Sequence, residues 1–191
     1  MPKIKLTHKS PRIDMTPMVD LFSVVLIFLM LTANFRISEP AAVDTPYSVS
    51  EKNIMDANKM IIVISNEGDI FFNMDNGPDT LLKYRPKVLA EMGSRYGIEF
   101  TEEELRTFEK YPSSLGVPIE SMSHFLTTTD LEEKKELNVG VPMDSFNNQL
   151  GMWILYARQV NQNIKAVIKS GTEVPFTKVK ELLDLLQDYN V

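Results

Sequence analysis

Few residues in this chain have the chemistry for catalysis. It has no cysteine and two histidines, His8 and His124. Thiolate nucleophiles, disulfides and Cys-based metal sites are thereby excluded, and a Ser/His/acid triad could draw only on His124 because His8 sits in a basic tail. His124 falls in a Ser/Thr-rich stretch read as loop, where a solvated histidine without a role is expected. Glu102 to Glu104 and Glu132-Glu133 read as charged helix faces, and no Gly-rich phosphate loop or metal-ligand spacing occurs. Catalytic, cofactor-binding and metal sites are therefore expected to be absent. One side chain stands apart. Asp20 is the single charge between Met15 and Phe35, next to the run Leu21 to Ala33, which is almost wholly apolar.

An ionised carboxylate carried into hydrocarbon costs about 2.5–3.5 kcal/mol on insertion scales, and such residues are usually functional. Two readings follow. In the first, Asp20 handles protons. In the second, Thr16 is the N-cap, Pro17 starts the helix, and Asp20 near its third or fourth position favours the helix dipole. At about 100° per residue, Thr16, Ser23, Ile27, Leu31 and Asn34 lie within roughly 40–60° of Asp20. Met18, Leu21, Phe22, Val25, Leu29 and Thr32 lie opposite. A stripe that is polar in part must face protein or water, because lipid offers an unpaired polar group no partner. Thr16 and Ser23 are the polar side chains placed to hydrate or bond the carboxylate.

The element that positions Asp20 is a helix over residues 15–35, about 30 Å long at about 1.5 Å per residue, which matches a bilayer's hydrocarbon core. It is read as one transmembrane span. Residues 1–14 form a basic tail: Lys3, Lys5, Lys9 and Arg12 against Asp14 give a formal +3, whereas residues 36–191 hold 16 basic and 24 acidic side chains, a formal −8. This asymmetry predicts a cytoplasmic N-terminus and a translocated C-terminal part, periplasmic in a two-membrane bacterium. A cleaved signal peptide competes, but the apolar core exceeds a usual h-region and no small-x-small site follows it cleanly, so an uncleaved anchor is expected. An acidic soluble part without a basic, aromatic-interleaved patch argues against nucleic acid as a partner.

Residues 36–58, with Pro40 and Pro46, read as an extended linker. The rest of the 191 residues suffices for one domain with its own core, residues 59–191, of α+β class. Met60 to Ser65 and Ile70 to Asn73 read as a β-hairpin around Gly68, which supplies a positive φ. Thr80 to Met92 reads as a helix kinked or interrupted at Pro86. Thr101-Glu102-Glu103-Glu104 is a capping box opening a helix to about Tyr111. Ser145 to Asn161 reads as the strongest soluble helix, its face made of Phe146, Leu150, Trp153, Ile154, Ala157 and Val160 with Asp144 or Ser145 as cap. A strand from Ile164 to Lys169 and a helix from about Pro175 to Tyr189 complete the domain. Residues 75–143 are expected to be an insertion.

Thr16-Pro17-Met18-Val19-Asp20, preceded by Ile13-Asp14 and followed by Leu21 to Leu31, resembles the signature of the ExbD/TolR family of biopolymer-transport proteins. Ala166 to Ser170, then Val174 to Val179 and the helix to Tyr189, are similar to that family's last strand and helix, with Ser170-Gly171 where the family usually has an Asp. The resemblance implies a single-pass inner-membrane protein whose essential aspartate is Asp20. It also implies a multi-helix partner of ExbB/TolQ type and dimerisation through the soluble domain, and the residues above give no support for an enzyme. The expected function is to couple the proton motive force to TonB-dependent transport across the outer membrane through a TonB-like energy transducer. Two alternatives remain: a TolR-like role in envelope maintenance that engages peptidoglycan or a periplasmic partner, and a passive membrane-anchored interaction module.

Overall fold

The computed structural model describes residues 14–33, 57–77, 81–144 and 146–191. The basic tail before Asp14, the linker up to residue 56, Asn34, Phe35, Thr80 and Ser145 lie outside the described residues. The chain divides into two units, Met1–Arg36 and Ile37–Val191.

In the first unit, α1 runs Thr16–Thr32, 17 residues or about 25 Å, shorter than the expected span over residues 15–35. Among the described residues no helix is long and apolar enough to cross a membrane. The helix ends where Ala33 turns extended, at φ −68° and ψ 101°. Just before that, the Thr32 hydroxyl donates back to the carbonyls of Phe28 (2.9 Å) and Leu29 (3.3 Å).

The second unit is α+β, with a three-stranded sheet of order β2-β1-β3. β1 (Lys59–Ile64) and β2 (Ile70–Met74) form the expected hairpin in antiparallel register, Ile62 opposite Phe72. Gly68 in its turn has φ +93°, a conformation that costs glycine little. The Asp69 N–H donates to Ser65 Oγ across the same turn (3.1 Å). β3 (Lys165–Ser170) lies parallel to β1 on its other side, Ile62 opposite Ile168. The outer edge of β2 is covered: Phe72 and Leu115 exchange backbone hydrogen bonds of 2.7 and 2.8 Å, and the Val141 N–H donates to the Ile70 carbonyl. Gly116 permits this approach, since a Cβ there would meet the Phe71 ring at 2.5 Å.

Between β2 and β3 come α2 (Tyr84–Tyr96), α3 (Glu102–Lys110), α4 (Ile119–Thr127), α5 (Leu131–Leu137) and α6 (Gln149–Val160), and α7 (Phe176–Asp188) follows β3. Pro86 does not interrupt α2. It occupies the first turn, where the backbone N–H has no intrahelical acceptor to lose, and α2 continues to a left-handed Gly97. The Ser/Thr-rich stretch is α4 rather than loop, because Ile119, Met122, Phe125 and Leu126 bury one helical face. α6 starts at Gln149 rather than Ser145: the Asn148 side chain caps it by accepting the Gly151 N–H (2.8 Å). Phe146 is left fully exposed ahead of the helix.

Met60, Ile62 and Ile64 of β1 join Phe72 and Met74 in one core with Val88, Leu89 and Met92 of α2, Phe108 of α3, and Trp153 and Ile154 of α6. The rings of Phe72 and Phe108 lie 5.5 and 5.9 Å from Trp153. Much of this core comes from residues 75–143.

Glu104 ties α3 to α4. Its carboxylate accepts the Thr101 N–H (2.7 Å) and hydroxyl (2.8 Å), the expected capping box, and also the Ser123 hydroxyl of α4. Burial pushes this carboxyl up, but the hydrogen bonds from Ser123 and Thr101 outweigh it and hold the pKa below its ordinary 4.5. A depressed acid pKa gives stability that is present above 4.5 and lost as pH falls through the folded value. Thr101→Ala is expected to cost about 1 kcal/mol, and Glu104→Gln to flatten the acid loss of stability. Denaturant unfolding of the full chain, followed by the fluorescence of Trp153 from neutral pH downward, measures both.

Candidate functional site

α1 places Asp20 as its fifth residue, beyond the first turn, which contains no acidic side chain. Thr16 is not the N-cap. It is the first helical residue, Pro17 is the second, and Met15 holds the N-cap position without a side-chain hydrogen bond. The start is held instead by Asp14, whose Oδ1 accepts both the Thr16 N–H (3.0 Å) and the Thr16 hydroxyl (2.5 Å). Aspartates commonly bond a backbone N–H two residues on. Asp14 and Thr16 are both capping residue types separated by one position, and that spacing is the signal from which this bond could have been read.

The two polar neighbours expected to serve Asp20 are committed elsewhere. The Thr16 hydroxyl is bound to Asp14, and the Ser23 hydroxyl donates to the Val19 carbonyl (2.8 Å). Asp14, Thr16, Pro17, Asp20 and Ser23 nevertheless line one shallow depression on the helix surface. The Asp20 carboxylate is exposed and forms no hydrogen bond or ion pair with any described residue. Nor is any residue of α1 buried: its large apolar side chains are 46% (Val25) to 81% (Leu31) exposed. A continuous apolar surface of this kind marks a contact with lipid or with another protein.

Elsewhere, charged pairs are structural. His124 Nε2 lies 2.8 Å from Glu133 Oε1, joining α4 to α5, and Thr128 also bonds Glu133. Among the described residues no group of three His, Asp or Glu side chains is placed to hold a metal ion.

An apolar helix carrying one unpaired carboxylate, followed by a separate α+β unit, defines a two-part protein with no assembled active site among its described residues. The family model for biopolymer transport protein ExbD/TolR matches residues 7–114, more than half of the chain, and the chain belongs to that family. The match takes in α1, the hairpin, α2 and α3, whereas β3 and α7 lie beyond it. No curated protein and no solved structure matches the chain.

Hydrogen bonds from Thr16, its hydroxyl first and its N–H second, lower the pKa of Asp14 below 3.8. Thr16→Val is expected to bring that pKa back up toward 3.8, since only the N–H would still favour the ionised form. Carboxyl-carbon NMR titration of the full chain in detergent reads the change. An unchanged Asp14 titration would remove Asp14 from the helix start.

Proposed function

We propose that this chain is the force-transducing subunit of a proton-driven inner-membrane complex and that Asp20 is its proton-handling residue. The observation that carries the proposal is the lone carboxylate on α1, within the matched family residues, with the helix start already held by Asp14 and no partner for Asp20 among the described residues. That arrangement supports proton handling over a capping role, because Asp20 lies past the turn in which an acid favours the dipole.

In this reading residues 1–14 are a cytoplasmic tail, residues 15–35 enter the membrane, residues 36–58 form a periplasmic linker, and residues 59–191 are a periplasmic domain within which residues 75–143 are an elaboration. α1, at about 25 Å, falls short of a hydrocarbon core of about 30 Å, and such a mismatch favours oligomerisation and local thinning over a helix alone in lipid. The apolar face of α1 thus suits a ring-like, multi-helix partner of ExbB/TolQ type. Two copies of the chain, joined through their soluble domains, would bring two Asp20 helices into one pore.

Asp20 alternates between protonated and ionised forms as protons pass from periplasm to cytoplasm. Each proton crossing about 100 mV releases about 2.3 kcal/mol, comparable to the about 2.5–3.5 kcal/mol that a bare carboxylate costs in the bilayer. Protonation therefore changes where Asp20 can sit by about as much energy as one proton delivers. The movement passes through the linker to the periplasmic domain and on to a TonB-like energy transducer serving uptake across the outer membrane.

Asp20→Asn keeps the shape of the side chain and removes the titration. Expected is loss of proton-motive-force-dependent uptake to background, with the chain still co-purifying with its membrane partner. Uptake and envelope integrity both unchanged in that variant would sink the motor reading. A defect in envelope integrity with uptake intact would move the output from the TonB type to the Tol type.

A further inference from the structure

Among the described residues, three buried polar atoms of the second unit have no hydrogen-bond partner: Asn73 Oδ1 on β2, Arg85 Nε in the first turn of α2, and Trp153 Nε1 on α6. All three residues line the same cavity, which is walled by apolar side chains that include Phe72, Phe108 and Met122. Arg85 is 7% exposed and Trp153 2%, so bulk solvent does not serve them. Buried polar groups are almost always satisfied, and three orphans around one space indicate a missing common partner.

The chemistry of that partner follows from the atoms. Arg85 Nε and Trp153 Nε1 can only donate, so they cannot serve each other, whereas Asn73 Oδ1 can only accept. The three atoms therefore call for a molecule that accepts two hydrogen bonds and donates at least one. The cavity offers about 10 Å³ to a water-sized sphere, close to the roughly 10–15 Å³ that one water requires. Two of the three atoms are also held in place. Arg85 Nη1 is anchored on the Tyr111 carbonyl (2.6 Å) and more weakly on that of Glu109 (3.4 Å), and its guanidinium lies 5.0 Å over the Phe108 ring. That ring stacks in turn on Trp153. Burial, opposed by the charges of Glu109 and Asp75, pulls the Arg85 pKa down to about 10, so the side chain stays cationic at neutral pH.

We propose that this cavity is a binding site for one structural water, which accepts hydrogen bonds from Arg85 Nε–H and Trp153 Nε1–H and donates one to Asn73 Oδ1. The water joins β2, α2 and α6 beside the core and completes the solvation of a buried cation. A small halide is the competing occupant. It suits the two donors and the positive charge, but it accepts the site only if the Asn73 amide turns its nitrogen inward.

Trp153 is the only tryptophan, so its indole N–H gives a single assignable resonance, and the Arg85 Nε–H gives a second. Water-selective NOE measurement on the full chain in lipid nanodiscs is expected to show a long-lived water at both protons. In Asn73→Leu the two cross-peaks should vanish while the remainder of the spectrum stays folded. Bromide titration should leave both resonances in place. A folded wild-type chain without either cross-peak would overturn the proposal, as would a saturable bromide-dependent shift, which would assign the site to an anion. Should the leucine variant not fold, the wild-type spectrum and the bromide titration decide the matter by themselves.

Discussion

The hydrogen bonds between Asp14 and Thr16 hold the start of α1, and what Asp20 is free to do depends on them. An acidic group in a first turn contributes roughly 0.3–1 kcal/mol through the dipole, and here Asp14 stands at the helix entrance with its Oδ1 on the N–H and hydroxyl of Thr16. Further along, the hydroxyls of Ser23 and Thr32 close on the carbonyls of Val19 and of Phe28 and Leu29. A hydroxyl satisfied within its own helix can enter an apolar environment at small cost. A carboxylate cannot, because no acceptor-only group finds a donor among the paired amides of an α-helix. Asp20 is thus the group on α1 whose energy depends most on what surrounds the helix from outside.

Features set by neighbouring residues were legible in the sequence. The hairpin around Gly68, the capping box at Thr101 and Glu104, and the last strand and helix each carry their signal within about a dozen residues. The errors have local causes too. Thr16 and Asp14 are both capping types, and the reading that took Thr16 as the cap passed over the aspartate two residues before it, which closes the turn. α4 was hidden by its serines and threonines, although Ile119, Met122 and Leu126 already had helical spacing. In the folded chain the Thr127 hydroxyl returns to the Ser123 and His124 carbonyls and leaves the helix intact. Phe146 fitted the periodicity of α6, but Asn148 starts the helix after it. The parallel pairing of β1 with β3 joins Lys59 to Lys165, and no local pattern announces a contact across that separation.

The candidate site was legible because a charge in an apolar run is conspicuous in one dimension. The cavity in the core was not. Trp153 is far along the chain from Asn73 and Arg85, each of the three is an ordinary residue for its element, and only their convergence gives them meaning. Residues 75–143 present the same contrast. Read along the chain they resemble decoration, yet Val88, Leu89, Met92 and Phe108 sit in the core with the strands. Deleting that segment would open the sheet face that Trp153 packs against, rather than trim a surface.

The proposed function asks two different things of the two units: a group on α1 that responds to its surroundings, and a second unit whose helices are tied together by polar contacts. Gln149, fully buried, accepts the Ile119 N–H at the start of α4 (2.9 Å) and donates to Glu120 (2.9 Å to Oε2). With Glu104 joining α3 to α4, these bonds lock three helices by polar contacts that cannot slide by fractions of a turn. Apolar packing alone tolerates such slippage, because one methyl group substitutes for another. Side-chain hydrogen bonds to a helix start tolerate it less, since they weaken steeply with distance and angle. Such contacts favour movement of the three helices together. On the proposed function, energy released at Asp20 would then be passed on as displacement of the second unit instead of being dissipated in local rearrangement of its core.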